Sequence, residues 1–375
     1  MSNSSAGHIC AERGIFMAKK EQSSCPRVDI GGQAVLDGVM MKALDAIAVA
    51  VRRPDGDIVV KREKYVSPAK KHKWMGLPFI RGTVNMVDML KVGMNTLESS
   101  ATMVGEEQAE EPSKFEKWLA AKLGKSVDKV VMAVAAVLAV VMSLGLFVLL
   151  PNLAVLAFPK DASGWMLVLK NLVSGIVRIL ILIGYIALCG RIPEMRKTFQ
   201  YHGSEHKTVY CNEHDLPLTP QNAQQFSTLH PRCGTSFLVL TFVMSILFFS
   251  VIDVLVKAVT GFDLGSNYFL RIASRIVLLP CIMGIGYEML KLLAHKEGKW
   301  VDILRWPGMQ MQRLTTKKPS DDQCEVAIIS MNAALHGLPD GEVTVEGWVV
   351  LHQADIDRLI YGKETEEEKE EEEQA

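Results

Sequence analysis

Residues 130–150 read VVMAVAAVLAVVMSLGLFVLL, and no charged side chain occurs anywhere from 130 to 158. A helix rises about 1.5 Å per residue, so about 20 apolar residues cross the hydrocarbon core of a bilayer. This stretch is long enough to do so. Working outward, Trp165–Cys189 is a second block of that length and carries Lys170 and Arg178. Gly234–Ile252 is a third, with 19 uncharged residues ahead of Asp253. Ile272–Leu290 is a weaker fourth, holding Arg275, Pro280 and Glu288 around an uncharged middle, Ile276–Tyr287. Buried core helices of a large soluble domain are the competing reading, and three long apolar blocks in one chain argue against it. The expectation is a multi-pass α-helical membrane protein with about four transmembrane helices over residues 129–295.

Lysine and arginine gather on one side of that arrangement. Lys114, Lys117, Lys122, Lys125 and Lys129 precede the first block, Arg191, Arg196, Lys197, Lys207 and Arg232 fill 190–235, and Lys291, Lys296, Lys299 and Arg305 follow the fourth. The connections 151–164 and 254–270 carry one lysine each, Lys160 and Lys257. The positive-inside bias then places both termini and the 190–235 loop in the cytoplasm of a bacterial cell. Residues 1–27 lack an apolar run, so no signal peptide is expected there.

Composition sets further limits. Of 375 residues, 41 are Lys or Arg and 42 are Asp or Glu. The balance hides an acidic tail, since 363–375 holds eight Glu and two Lys and the remainder is net +5. An apolar fraction of 49% excludes a wholly disordered chain. No dense basic field interleaved with aromatics is present, so no nucleic-acid partner is expected. Seven scattered cysteines do not make a disulfide framework.

The polar segments divide into a disordered leader (1–27), an α+β segment (28–103), a linker and amphipathic approach (104–128), the membrane region, a C-terminal segment (296–360) and the acidic tail (361–375). Ala46–Arg52, the turn Arg53-Pro54-Asp55-Gly56 and Ile58-Val59-Val60 read as a β-hairpin. Leu77–Ser100 has helical period, with Val84, Val87, Leu90 and Met94 on one stripe. Pro307–Thr316 and Glu325–Ser330 read as strands flanking a polar turn, Lys317–Gln323. The N- and C-terminal pieces share one side of the membrane and are expected to form one small cytoplasmic α+β domain.

Chemistry concentrates in 190–235. His202-Gly203-Ser204-Glu205-His206 is a His-x-x-Glu-His string. On a helix, positions i and i+4 share a face, so both imidazoles reach one metal and Glu205 stands beside them as a base. Gly203 costs that helix about 1 kcal/mol. A second spacing, Cys211-x-x-His214 with His230-Pro231-Arg232-Cys233, fits a structural Cys₂His₂ zinc site. A third set mixes the two: His202, His206, His230 and Cys233 on one divalent metal, zinc by ligand type, with Glu205 as base. Cys211 and Glu288 are further ligand candidates. Simple hydrogen bonding by these histidines in a membrane-proximal loop is the plain alternative. Asp253 and Arg275 fall at similar depth and are expected to pair. Arg178 lies deeper. Gly31, Gly32 and Gly38 form neither a dinucleotide fingerprint nor a phosphate loop. They suit tight turns, and a pocket between that segment and the His loop is compatible with their shared side.

Several strings carry a resemblance: Gly31–Met41 (GGQAVLDGVMM), Tyr201–Lys207 (YHGSEHK), Leu229–Phe237 (LHPRCGTSF), Gly286-Tyr287-Glu288 and Pro307–Ile328 (PGMQMQRLTTKKPSDDQCEVAI). Over about 29–335 the chain resembles the YqhQ-like family, a domain-of-unknown-function family of membrane proteins described as predicted metal-dependent enzymes. The family usually has Glu at Asp37 and Ala at Ser204, and no His at His214. The last difference favours the mixed metal set over the paired Cys/His site.

The leading expectation is a metal-dependent hydrolase at the cytoplasmic membrane face, acting on a lipid, a peptide or a small phosphorylated molecule. The second is a non-catalytic assembly or regulatory factor with a structural zinc. The third is a transporter using Arg178 and Glu288. Membrane lipids are the expected partners, and a homo-oligomer is compatible with all three.

Overall fold

A computed structural model describes residues 30–105, 127–159, 164–261, 268–294, 296, 298–344 and 347–362. The leader, most of the 104–128 linker and the acidic tail lie outside the described residues.

Strands β1 (Gly31–Val35), β2 (Gly38–Lys42), β3 (Ala46–Arg52) and β4 (Ile58–Lys64) run as an antiparallel meander. Near the other end of the chain, β5 (Glu342–Val343) and β6 (Val349–Leu351) complete one six-stranded sheet in the order β1-β2-β3-β4-β6-β5. The sheet is therefore built from both ends of the chain, as the sequence suggests. The hairpin read from 46–60 is β3–β4, in register from Ala46↔Lys64 to Arg52↔Ile58.

Helix α1 (Ile80–Gly105) covers one sheet face, where Met40, Val49, Val59 and Trp348 pack with Met103. Helix α8 (Asp321–His336) covers the other, where Val39, Met41, Ala48 and Val60 pack with Val326, Ile329 and Met331. Successive side chains of a strand point to opposite faces, so covering both faces removes apolar/polar alternation and leaves near-continuous apolar strands.

The middle of the chain is helical: α2 (Val127–Leu144), α3 (Gly164–Cys189), α4 (Pro193–Glu213), α5 (Gly234–Thr260), α6 (Tyr268–Ala294) and α7 (Lys299–Thr315). Among the described residues, three stretches are long and apolar enough to cross a membrane, namely Gly164–Cys189, Gly234–Thr260 and Ala273–Leu293. The first apolar block read from the sequence continues as helix from α2 through a π-helical turn, Gly145–Leu149, to Ala154, and contains the shorter apolar helix Val137–Phe147.

Two expectations need correction. Pro307–Thr316 is not a strand but the second half of α7, with Pro307 inside the helix. Glu325–Ser330 is not a strand but the middle of α8. The apolar run Val326–Ile329 reflects a helix buried on every side, and a capping box between Ser320 and Gln323 starts it. The helix expected over 77–100 is present as α1, yet Val87, Leu90 and Met94 of its stripe are exposed. Its packing face uses small side chains: Gly82 against Gly284 and Tyr287, with Thr96 and Ser100 buried.

Candidate metal centre

Helix α4 carries most of the site. Pro193 sits in its first turn, where a missing N–H costs nothing. Its centre, from Tyr201 to Val209, is almost wholly buried against β1, α8 and the turn Pro220–Gln224. Gly203, unfavourable by propensity, is required by packing. A Cβ there would lie 2.1 Å from the Lys317 carbonyl oxygen.

His202 and His206 stack edge-on with ring centroids 4.5 Å apart, as the one-turn spacing demands. Each uses Nδ1 to hold a backbone carbonyl: His202 that of Thr315 at 2.9 Å, His206 that of Thr228 at 2.5 Å. A carbonyl accepts, so each Nδ1 carries the proton and each Nε2 presents a lone pair. His202 Nε2 lies 3.3 Å from Cys233 Sγ. His206 Nε2 is buried without a hydrogen-bond partner. Glu205 Oε2 lies 3.4 Å from it, outside hydrogen-bond geometry. Cys233 caps the N-terminus of α5, its sulfur accepting from Thr235 N at 3.4 Å. Ligand atoms of His202, His206 and Cys233 all fall within 4.8 Å of one another.

These three ligand atoms could hold a metal ion. Buried polar atoms are nearly always satisfied, and the orphan here is an imidazole nitrogen facing a second imidazole and a thiol. Carbonyls behind each ring fix tautomer and orientation in the way that metal-binding histidines are usually backed. The residues present fit a soft-to-borderline cation such as zinc.

His230 stands beside the trio, its ring 5.7 Å from that of His206. Its nitrogens are engaged elsewhere: Nδ1 accepts from Arg232 N at 3.3 Å and Nε2 donates to Glu213 at 3.2 Å. Its backbone is held by Gln312, which accepts from His230 N at 2.7 Å and donates to His230 O at 2.8 Å. Glu213 also pairs with Arg232. Burial disfavours the Glu213 carboxylate, but His230 and Arg232 outweigh that and hold its pKa below the usual value.

The paired Cys/His alternative is not assembled. Cys211 is buried, points its thiol at the Pro217 carbonyl 3.4 Å away, and has its pKa raised by burial. His214 bonds the Tyr210 carbonyl at 2.8 Å and packs on Phe226. Glu288 is equally distant in role: it forms a two-pronged pair with Arg81 at 2.5 and 2.7 Å, tying α6 to α1. Arg275 pairs with Asp253 at 2.5 Å, as expected, with Asn171 donating to the same oxygen at 3.1 Å. Arg178 lines a water-sized cavity of about 30 Å³ beside them.

The glycine segment meets the site directly. A Cβ on Gly32 would lie 2.7 Å from Glu205 Cγ, so β1 closes over the Glu205 side chain, which is only 5% exposed. Asp37, in the β1–β2 turn at φ +48°, pairs with Lys197 of α4 at 2.5 Å. Lys207 holds the Gln224 and Phe226 carbonyls, and burial lowers its pKa. Sequence reasoning passed over Lys207, Glu213 and Gln312. Lys207 lies within the YHGSEHK string, but nothing in the sequence marks a buried lysine that fastens a loop.

Residues 77–337 match the family described as Protein of unknown function (DUF1385). The chain is 31% identical over 312 residues to the Uncharacterized protein YqhQ of Bacillus subtilis (strain 168), covering 81% of this chain and 92% of that protein. No solved structure matches.

Proposed function

Since the chain belongs to the DUF1385 family, which supplies no activity to inherit, we propose from geometry that it is a membrane-embedded, divalent-metal-dependent hydrolase. One observation carries the reading. A buried, unpartnered imidazole nitrogen, His206 Nε2, converges with His202 Nε2 and Cys233 Sγ, and a buried carboxylate, Glu205, stands beside it.

His202, His206 and Cys233 would hold the ion, and three protein ligands is the number found at catalytic rather than structural zinc sites. When bound, the ion would supply Lewis acidity toward water and the substrate's carbonyl or phosphoryl oxygen. Glu205 accepts the proton of the attacking water at Oε2 and passes it to the leaving group, which restores the carboxylate. Gly32 shields that carboxylate from bulk water by packing over its stem. Glu213 and Arg232 position His230 at the rim, where its ring bounds the site.

The membrane reading completes the proposal. The helical run Val127–Ala154 joins the three membrane-length helices as a fourth span. The basic flanks then put the sheet and the His/Cys site on the cytoplasmic side of a bacterial membrane. Thr83 of α1 bonds the Pro280 carbonyl at 3.0 Å, well along α6, so the first turns of α1 enter the apolar layer from that side.

Elemental analysis of detergent-purified protein tests this. Near-stoichiometric zinc, manganese or iron should be present, be lost in His202→Ala, His206→Ala and Cys233→Ala, and survive in Glu205→Gln. Retention in His230→Ala distinguishes the three-ligand set from one that recruits His230. If no metal binds, even after reconstitution, the hydrolase reading fails. If loss of metal unfolds the chain and His230→Ala also empties the site, a closed structural site is the better description.

A further inference from the structure

Beginning six residues along α5 from Cys233, α3, α5 and α7 line a partly open apolar cavity of about 260 Å³. Ile179 and Leu182 form one wall, Val239 and Phe242 a second, and Trp306 and Met311 a third; Gln310 is the one polar side chain in the lining. The cavity shares its elements with the site. Cys233 caps α5 six residues before Val239, about 9 Å along a helix axis. Met311 adjoins Gln312, the buried side chain that grips His230 and donates to Ser236 Oγ at 2.7 Å. Thr315, one turn further along α7, holds His202. Two walls of the cavity are helices of membrane length, and the third helix is amphipathic, with Trp300 and Ile303 exposed and Trp306, 61% exposed, at the open edge of the cavity. Tryptophans so placed are typical of the membrane–water boundary.

We propose that this cavity holds the hydrocarbon chain of a membrane lipid whose polar head reaches His202, His206 and Cys233, so that the substrate class of the site is a single-chain or singly engaged lipid ester, amide or phosphoester. The inference rests on the reading of the cluster as a hydrolytic metal centre. The occupant is fixed by the lining: eleven residues supply no charge, so a peptide or a free phosphate finds no counter-group there, whereas an alkyl chain needs none. A tail held in this cavity fixes the reacting head against the metal ligands from a remote contact, the arrangement by which binding energy away from the reacting bond positions it.

The full chain, reconstituted in phosphatidylethanolamine/phosphatidylglycerol nanodiscs with a trace of palmitic acid bearing a terminal diazirine, tests this. After irradiation, label should concentrate on the segments bearing Leu182, Val239 and Met311. Unlabelled palmitate should compete for the cavity label and butyrate should not. Leu182→Trp and, separately, Val239→Trp fill the cavity from different walls and should each remove the label while metal content stays at the wild-type level. Label spread evenly over the outer faces of α3, α5 and α6, or label unchanged in both variants, would overturn the proposal. If either variant fails to fold, the position of the label on the wild type, concentrated on the cavity segments or spread over the outer helix faces, decides alone. Chain binding is read independently of metal, so absent metal with intact, competable labelling defeats the hydrolase reading and not the lipid-chain site.

Discussion

Gly203→Ala tests the packing logic of the site with an unusual sign. On a free helix this change should stabilise by about 1 kcal/mol, because glycine is the poorer helix former. Here the added Cβ would sit 2.1 Å from the Lys317 carbonyl oxygen, whereas ordinary contact begins at 3.4 Å. Backbone cannot rotate aside as a long side chain can, so α4 and the Thr316–Lys317 segment must part by about 1.3 Å, the difference of those two distances. Overpacking of this kind costs about 1–3 kcal/mol. Separation also loosens two bonds across the same seam: Lys317 N to Phe199 O at 2.8 Å and His202 Nδ1 to Thr315 O at 2.9 Å. The net expectation is a loss of about 1–2 kcal/mol, visible as a drop of about 1–3 °C in the melting midpoint of detergent-purified protein. Losing the carbonyl behind a ligand histidine typically weakens metal binding by about 10–100-fold. A chromophoric chelator in competition measures that. A midpoint that rises, with metal affinity unchanged, would refute the claim that Gly203 is there to let α4 approach Lys317.

Other consequences are equally direct. Gln312→Leu leaves the buried backbone N–H of His230 unsatisfied and its C=O with only the long bond from Cys233 N at 3.4 Å, at a cost of about 1–3 kcal/mol for the orphaned N–H; thermal unfolding reads it, and wild-type stability would sink the assignment. Burial raises the Cys324 thiol from 9.0 to about 12. A raised folded pKa means stability that is full below the unfolded value and is lost as pH climbs from 9 toward 12; Cys324→Ala should flatten that alkaline limb in a pH series of melting midpoints. Arg81→Met strands the Glu288 carboxylate. The loss should be about 2–3 kcal/mol, less than for a fully buried pair because the two side chains keep 24% and 18% exposure. The double variant Arg81→Met/Glu288→Met should regain most of it, and a double variant no better than the single one would show that the pair does not hold α1 to α6.

What the sequence revealed and what it hid have physical causes. The His-x-x-Glu-His string was readable because helical spacing alone brings His202 and His206 to one face, and the structure stacks them. Cys233 could be joined to them only as one choice among several, since nothing local shows which partner a cysteine meets across 27 residues of chain. The groups that make the cluster convincing, the Thr228 and Thr315 carbonyls, are backbone atoms with no residue-type signal. Strands were misassigned where helices are buried all round or contain proline. In α8 eleven residues are buried, from Gln323 to Ala334, so no polar stripe marks its period. The better clue was Ser320-x-x-Gln323, a start signal that the apolar run overshadowed. In α7 Pro307 suggested a break, yet the helix continues through it.

The order of these elements along the chain has a consequence for how the site comes into being. His202 and His206 lie before the last two apolar helices, Cys233 lies at the start of one of them, and the carbonyl and amide that brace His202 and His230 come from α7, after the last. Glu205 is covered by Gly32, from the first strand of a sheet whose later strands, β5 and β6, are synthesised last of all. Contacts this distant in sequence form late, because loop closure precedes any reward from them. The cluster is therefore complete only when the apolar helices are in place and the two ends of the chain have paired. Metal content thus reports on assembly of the whole molecule as well as on the ligands, and a variant far from the cluster that empties it, such as one that unpairs β4 from β6, should do so together with loss of protection at Cys324, whereas a ligand variant should empty the site and leave Cys324 buried.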